Sequence, residues 1–177
     1  RNGMTNHTMR YLLLSILVVC VIGVMIPSAF AEVVIKNDET GGDCTQFGIW
    51  DGGTKTCTLS NDIHYSIKFG SNNITLDGNN FKVSICDNPD YCIKIDTRFG
   101  ITIMNIESDG VIRVQDSNNI VIKNSQLYLL ELQVSNQNEI SDNQFTRLII
   151  LSGSNENLIK NNFVTGKGIW IISFSQD

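Results

Sequence analysis

The chain repeats itself in steps of about 19 residues from Asn72 onward, and this repeat constrains its fold more than any other feature. The repeat is centred on apolar positions that are separated by 27, 19, 18 and 19 residues, namely Leu76, Ile103, Ile122, Ile140 and Ile159. A unit this short cannot bury an apolar face by itself, so stacked copies must bury it between them. The repeat therefore predicts a solenoid.

Short strands are predicted at each of these apolar positions. Apolar side chains recur every second residue in Ile74–Leu76, Ile101–Ile103 and Ile120–Ile122, which is typical of a strand with one face turned inward. We expect each copy to form one coil of two or three short strands and to lie over the previous copy in parallel.

Two columns of asparagine flank the core positions. The columns lie four residues before and three residues after each core residue, at Asn72, Asn118, Asn136 and Asn155 and at Asn79, Asn143 and Asn162. Asparagine tolerates the left-handed backbone of a sharp corner, and stacked asparagines can hydrogen-bond along the axis. The two columns predict two corners per coil. The second copy departs from this pattern, with Phe99 and Ile106 at the two positions.

The segments Ser71–Phe81 and Ser117–Leu127 resemble repeats of right-handed parallel β-helix proteins. That superfamily includes pectate-lyase-like enzymes, carbohydrate-binding and surface proteins, and periplasmic proteins that help mature nitrous-oxide reductase. The resemblance covers about Cys57–Ile172 and implies an all-β, right-handed parallel β-helix of about five short coils. It is specific for the fold and not for a function, because the repeat describes the scaffold and not a site.

The N-terminal region has the pattern of a secretory signal. A positive start at Met9–Arg10 is followed by sixteen apolar residues and by small residues that end at Ala31. We expect a cleavable signal helix and a secreted, cell-surface or other extracytoplasmic protein that meets a membrane only through this segment before cleavage. The alternative is an uncleaved anchor, because sixteen apolar residues approach the length that spans a bilayer.

Four regions follow from these features: an upstream extension at 1–8, the signal peptide at 9–31, an N-terminal cap with a disulfide loop at 32–56, and the β-helix repeats at 57–177.

Four cysteines follow the signal segment, an even number that suits disulfides in an oxidising compartment. Three pairings can be drawn, and we favour Cys44–Cys57 and Cys86–Cys92 because each pair flanks a polar, turn-rich loop. The second loop also explains the 27-residue spacing between Leu76 and Ile103. A four-thiolate zinc site is the competing reading, but neither pair has the two-residue spacing usual for such sites.

The charge of the chain narrows its partners. Removal of the signal segment takes away Arg1 and Arg10 and no acid, so the net charge changes from −5 to −7. A nucleic-acid-binding solenoid needs a basic stripe, so nucleic acid is not an expected partner.

No catalytic pair is evident in the repeats. Asp77 and Glu139 are predicted to be three coils apart, some ~14 Å, which is too far for a pair of glycosidase carboxylates. Glu131 beside Arg113 is typical of a cross-strand ion pair. His64 is the only histidine after the signal segment, so catalytic triads and histidine-rich metal sites lack their parts.

The strongest candidate site is the loop between Cys86 and Cys92 with the strand that follows it. Its candidate ligand-binding residues are Asp87, Asp90, Tyr91, Asp96 and Arg98, with Lys94 among them. Carboxylates held in a stiff loop can ligate Ca²⁺, and an exposed tyrosine can stack on a sugar ring. No catalytic residue, dedicated metal site or other cofactor is assigned, and the alternative is a loop whose aspartates only form turns.

The outer wall is predicted to become apolar towards the C-terminus. If Leu148 and Ile150 face inward, Ile149 and Leu151 face outward, and Trp170 lies outside in the next coil. Such a patch marks an interface, so self-association is expected at this end. The chain stops without a polar capping element, and we expect the natural protein to continue. The alternative is a local register shift that buries Trp170.

The leading functional hypothesis is non-catalytic binding of an extracellular or cell-envelope carbohydrate, which follows from the resemblance. The first alternative is a polysaccharide lyase or glycoside hydrolase. The second is a surface assembly or adhesin module that uses the apolar wall.

Overall fold

The chain folds as an all-β parallel β-helix of about six turns, one more than the repeat predicted. The computed structural model describes residues 32–84, 86, 90–166 and 168–172. The predicted upstream extension and signal segment lie outside the described residues. Two sheets run along the helix, and each turn of the chain adds strands to both.

The narrow sheet is built from strands of two to four residues per coil, stacked in register. Its strands are, in spatial order, β2 (Gly48–Asp51), β3 (Thr56–Leu59), β5 (Thr75–Asp77), β8 (Thr102–Met104), β10 (Val121–Lys123), β12 (Glu139–Ser141) and β14 (Leu158–Lys160). The predicted core positions pair directly along this sheet from Leu76 to Ile159. The repeat alignment read from the sequence is therefore confirmed.

The wide sheet covers the remaining wall of the helix. Its strands are β1 (Glu32–Ile35), β4 (Ser66–Phe69), β6 (Lys82–Val83), β7 (Ile93–Asp96), β9 (Glu107–Gln115), β11 (Gln126–Gln133), β13 (Gln144–Ser152), β15 (Phe163–Val164) and β16 (Gly168–Ile172). Both β6 and β7 pair with β9, so the excursion between them interrupts one coil of the wall. Because Leu76 still pairs with Ile103, this excursion accounts for the 27-residue repeat spacing.

Both predicted disulfides are present. Cys44–Cys57 joins a short 3₁₀ helix (Cys44–Gln46) to β3, and Cys86–Cys92 closes the base of the excursion. All four cysteines that follow the signal segment are thus used in disulfides, which rules out the zinc reading.

The N-terminal end of the stack is covered. Strand β2 pairs with β3 in antiparallel orientation and closes the first edge of the narrow sheet. Asp43 closes the edge of β1: its carboxylate accepts a hydrogen bond from the Val34 N–H at 2.8 Å, and its own N–H donates to the Val34 carbonyl at 3.0 Å. The side chain of Trp50 lies over Gly41, where a Cβ atom would overlap the indole ring.

The predicted outward orientation of Ile149 and Leu151 is wrong. Ile149 is fully buried and Leu151 is 5% exposed. The prediction assumed the 18-residue step between coils, but Leu130 pairs with Ile149, 19 residues later, because β13 holds one extra residue near its start. A one-residue slip exchanges the two faces of a strand. Trp170 does lie on the surface, 51% exposed.

Each coil turns at three corners, not at the two that were predicted. Left-handed residues mark the corners of three consecutive coils at Asn105, Asp116 and Asn119, at Asn124, Val134 and Gln137, and at Asp142, Gly153 and Glu156. The predicted columns lie beside these residues: Asn118 precedes Asn119 and Asn143 follows Asp142. Among the column residues, all of which are described, Asn79 itself has a positive φ, of 48°.

The predicted asparagine columns instead form hydrogen-bonded ladders between coils. Asn118 Oδ1 accepts from the Asn136 N–H at 3.0 Å, and Asn136 Oδ1 accepts from the Asn155 N–H at 2.7 Å. In the second column the Ser125 N–H donates to Asn143 Oδ1 at 3.0 Å, and the Asn143 N–H donates to Asn162 Oδ1 at 3.0 Å. The ladders therefore satisfy backbone groups at corners, where strand pairing is interrupted.

Candidate functional site

The predicted ligand-binding cluster is only partly assembled. Asp87 lies outside the described residues, and Asp90 is exposed on the excursion. The Tyr91 hydroxyl donates to the Glu32 carboxylate at 2.8 Å, which ties the excursion to β1. The Lys94 ammonium lies 5.8 Å from the centre of the Tyr91 ring, so one side of this ring already has a cationic neighbour.

The strand after the excursion uses its charges within the protein. Lys94 Nζ and Asp96 Oδ2 form an ion pair at 3.0 Å. Arg98 donates from Nε to the Phe69 carbonyl and from Nη1 to the Thr97 carbonyl, each at 3.0 Å. Arg98 thus fixes the backbone of a corner, and its guanidinium is not directed at a shared site with Asp96.

A charged row crosses the outer face of the wide sheet. Lys68 pairs with Lys94, which pairs with Arg113, which in turn pairs with Glu131. Arg113 Nε donates to Glu131 Oε2 at 2.9 Å, so the predicted cross-strand ion pair is confirmed. A carboxylate bound in this way is occupied by its own neighbour.

The carboxylates of the narrow sheet are also engaged by the protein. Asp77 Oδ1 accepts from the Asn79 N–H and from Asn105 Nδ2, each at 3.0 Å. Glu139 forms an ion pair with Lys160 at 2.9 Å, and the hydrogen bonds from Lys160 and Ser141 hold the pKa of the Glu139 carboxyl below its usual range. The strand register confirms that Asp77 and Glu139 lie in different coils, three apart.

Metal-ligand clusters were sought in the same part of the chain. The described residues contain no group of three or more histidine, cysteine, aspartate or glutamate side chains that could hold a metal ion. His64 is exposed and lies 3.3 Å from the Ser84 hydroxyl through Nδ1.

A second candidate site runs along the corner between the wide and narrow sheets. It is an open groove of about 500 Å³, which we call the amide groove, and it is lined by Phe99, Asn118, Asn119, Asn136, Gln137, Asn155 and Glu156. The lining residues come from four consecutive coils, so the groove follows the helix axis. Phe99 stands at its N-terminal end and is 48% exposed.

The amide groove presents hydrogen-bond donors outward. The ladder uses the Oδ1 atoms of Asn118 and Asn136, whereas their Nδ2 groups have no acceptor among the described residues. The Asn119 side chain likewise makes no hydrogen bond within the described part of the chain. Gln137 Nε2 donates to Glu156 Oε2 at 2.9 Å, which leaves the second carboxylate oxygen as an acceptor in the groove.

A second groove of about 480 Å³ lies at another corner. It is lined by Asn124, Ser125, Gln126, Asp142, Asn143, Gln144, Asn161 and Phe163. Its Asn143 and Asn162 ladder turns the side-chain amides inward, because Asn143 Nδ2 donates to the Ile122 carbonyl at 2.8 Å. This groove therefore offers fewer free donors than the amide groove.

Sequence reasoning missed the amide groove even though it named three of its residues. Asn118, Asn136 and Asn155 were assigned to a structural column, and Phe99 was noted only as a departure from that column. The missed signal was that departure: an aromatic residue at an exposed corner position, where the repeat otherwise places asparagine.

The compartment and membrane relations of the chain are partly defined. The two disulfides indicate an oxidising, extracytoplasmic environment. A search of the described residues finds no helix with the length and apolar character needed to cross a membrane. Comparisons with protein-family models, with curated proteins and with solved structures give no match for this chain. The architecture places it in the structural class of parallel β-helix proteins.

Proposed function

We propose that this protein is an exported, non-catalytic binding protein for extracellular or cell-envelope carbohydrate, and that an extended, uncharged glycan lies along the amide groove. One observation carries the proposal: an exposed aromatic ring and a series of free side-chain amides line one open groove of about 500 Å³. Binding sites for small ligands combine apolar surface with a few polar groups that fix orientation.

The chemistry of the groove suits a sugar. A pyranose has an apolar face that stacks on an aromatic ring such as Phe99, and its hydroxyls accept from amide nitrogens such as Asn118 Nδ2 and Asn136 Nδ2. The coils repeat every ~4.8 Å along the axis, a step close to the length of one sugar unit. The groove can therefore repeat the same polar contacts to successive units of a linear glycan.

Charge favours an uncharged glycan. Glu156 is the only ionisable residue among the described residues that line the groove, and it carries negative charge. The chain as a whole has a net charge of −5. Both features disfavour uronate-rich or phosphorylated polymers, since like charges repel.

Export is supported by two features. The pattern of residues 9–31 is that of a cleavable signal, and both disulfides suit the compartment to which such a signal leads. Resemblance of the repeat motifs to the pectate-lyase-like superfamily adds the expectation of a carbohydrate ligand.

The test is a panel of neutral and acidic polysaccharides in affinity electrophoresis, with the protein expressed from its full sequence and recovered after export. We expect retardation by at least one neutral glycan and at least a tenfold weaker affinity for Phe99→Ala. Phe163→Ala is the matched control, because Phe163 is an exposed phenylalanine in the other groove. Its affinity should equal that of the unmodified protein.

Three outcomes contradict the proposal. Loss of binding in Phe163→Ala with unchanged binding in Phe99→Ala moves the site to the other groove. Release of unsaturated or reducing sugar, with or without Ca²⁺, favours the lyase or hydrolase alternative. Retardation by none of the neutral glycans removes the carbohydrate hypothesis in the form stated here.

A further inference from the structure

The last coil of the described chain exposes a large apolar surface. Six large apolar side chains between 42% and 74% exposed belong to it: Leu158, Phe163, Ile169, Trp170, Ile171 and Ile172. Ile169 and Ile171 pair with Ile149 and Leu151 of the coil below, which are buried. Ile169 and Ile171 therefore occupy core positions of the helix whose upper side is uncovered among the described residues.

Polar groups of this coil are also left open at that end. Asn155 Oδ1 continues the ladder in which Asn118 Oδ1 and Asn136 Oδ1 each accept an N–H from the next coil, yet it has no donor within the described chain. The N–H groups of Ser154 and Asn157 are unpaired there as well, whereas those of Ser135 and Asn138 donate to the coil above. The end is thus an unpaired sheet edge.

The two ends of the β-helix are not equivalent. At the N-terminal end β2 pairs with β3, and Asp43 occupies the backbone edge of β1. That end offers neither strand edge for further parallel pairing. The open end of one molecule consequently cannot continue onto the capped end of another.

We propose that two copies of this chain associate through their open ends, with β14, β15 and β16 facing their equivalents. An interface between identical surfaces is isologous and closes at two copies. The cap prevents the head-to-tail contact that would generate a fibre. The product is a dimer with a cap at each outer end and the apolar coils in the middle.

The area of the open end is in the range that such a dimer needs. Large apolar side chains contribute about 150–250 Å² each when they are buried, so six of them at about half exposure offer on the order of 500–700 Å² per copy. Backbone edges and corner residues add to this area. A stable interface buries about 800 Å² per partner, and an apolar patch above a few hundred Å² is unusual on a monomer.

Ile171→Lys tests the proposal against a closely matched control. Ile171 is 74% exposed at the open end, and Ile49 is 68% exposed in the cap at the opposite end. A lysine at either position should leave the monomer folded, because most of the side chain already meets solvent. We expect a dimer for the unmodified protein and for Ile49→Lys, and half that mass for Ile171→Lys, in sedimentation velocity of the exported protein.

A second measurement reports on the interface directly. The chain contains two tryptophans, Trp50 and Trp170, so the Trp50→Phe variant has Trp170 as its single indole. Its fluorescence should shift to shorter wavelength as concentration rises, since dimer formation removes Trp170 from water. The same shift should be absent when Ile171→Lys is added.

Other outcomes overturn the proposal. A monomer at all concentrations would mean that another part of the chain, such as residues 173–177, satisfies the open end. Open-ended growth would mean that the capped end does participate. A dimer that survives Ile171→Lys and is lost in Ile49→Lys would place the interface at the cap.

Discussion

At the scale of single residues, the polar side chains at the corners have two different orientations. Asn143 is buried and directs all of its hydrogen-bonding groups into the protein: it accepts from Ser125 and donates to Ile122 and Asn162. Asn118 accepts along the axis and keeps its amide nitrogen outside. The same residue type therefore stabilises one corner and forms a binding surface at another.

Asn143→Ala should lower the free energy of unfolding by at least about 2 kcal/mol. The substitution leaves the buried Ser125 N–H and the Ile122 carbonyl without their partners, and an unsatisfied buried group costs about 1–3 kcal/mol. Gln144→Ala is the control, because the neighbouring amide side chain is exposed. Urea unfolding monitored by circular dichroism gives both values, and equal stability of the two variants would contradict the ladder.

At the scale of elements, the corners decide the orientation of every strand. The step from Leu130 to Ile149 is one residue longer than the step from Ile112 to Leu130, and this difference keeps apolar residues inward in both coils. The sequence pattern predicts the core positions of the narrow sheet because their corner spacing is nearly constant. It does not predict the faces of β13, because one added residue in a corner has no apolar signature and reverses the alternation that follows.

Val134→Asn should stabilise the protein by about 1 kcal/mol. Val134 has a φ of 49° and is 58% exposed, and the left-handed conformation costs about 1–2 kcal/mol for an L-residue with a Cβ atom. The next coil carries Gly153 at the equivalent corner, where no such cost arises.

The matched control for this substitution is Val121→Asn. Val121 is a partly exposed valine in the extended strand β10, where asparagine is less favourable than a β-branched residue. Thermal unfolding should therefore shift upward for Val134→Asn and downward for Val121→Asn. A decrease for both variants would show that the Val134 backbone is not strained.

At the scale of the whole molecule, one end of the stack is fixed covalently and the other end is not. Cys44–Cys57 joins the cap to the first strands, and both of its cysteines are buried in the core. The spacing of the cysteines and their polar loops predicts both pairings. The sequence does not predict that the cap closes the first strand edges, because this depends on the position of Asp43 and on the antiparallel turn of β2.

Replacement of both Cys44 and Cys57 by alanine should lower the free energy of unfolding by about 3 kcal/mol, the value for closing a loop of this length. The loosened cap should also expose the edges of β1 and β3, so species larger than a dimer should form as concentration rises.

Removal of Cys86 and Cys92 serves as the comparison for the cap variant. This pair closes a shorter loop inside the stack, so its loss should cost about 2 kcal/mol and should not change the association state. Light scattering and urea unfolding measure the two effects. Growth of large species in both variants would contradict the protective role assigned to the cap.

The candidate site could be predicted less completely than the fold. The excursion around Tyr91 and Asp96 attracted attention because it combines charge, an aromatic ring and a disulfide. In the structure its charges pair with one another or with neighbouring strands. The amide groove arises from residues of four coils that are 18–19 residues apart, and only the stacking of the coils makes them neighbours.

The order in which the coils follow the cap has a consequence for how the chain acquires its structure during synthesis. The ladder bonds join residues that are 18 or 19 positions apart, so each coil needs only the coil made just before it. The disulfide-linked cap belongs to the part of the fold that leaves the ribosome first. Each new coil can therefore settle on a finished surface as it emerges, and folding can proceed in one direction, from cap to open end, without waiting for distant partners.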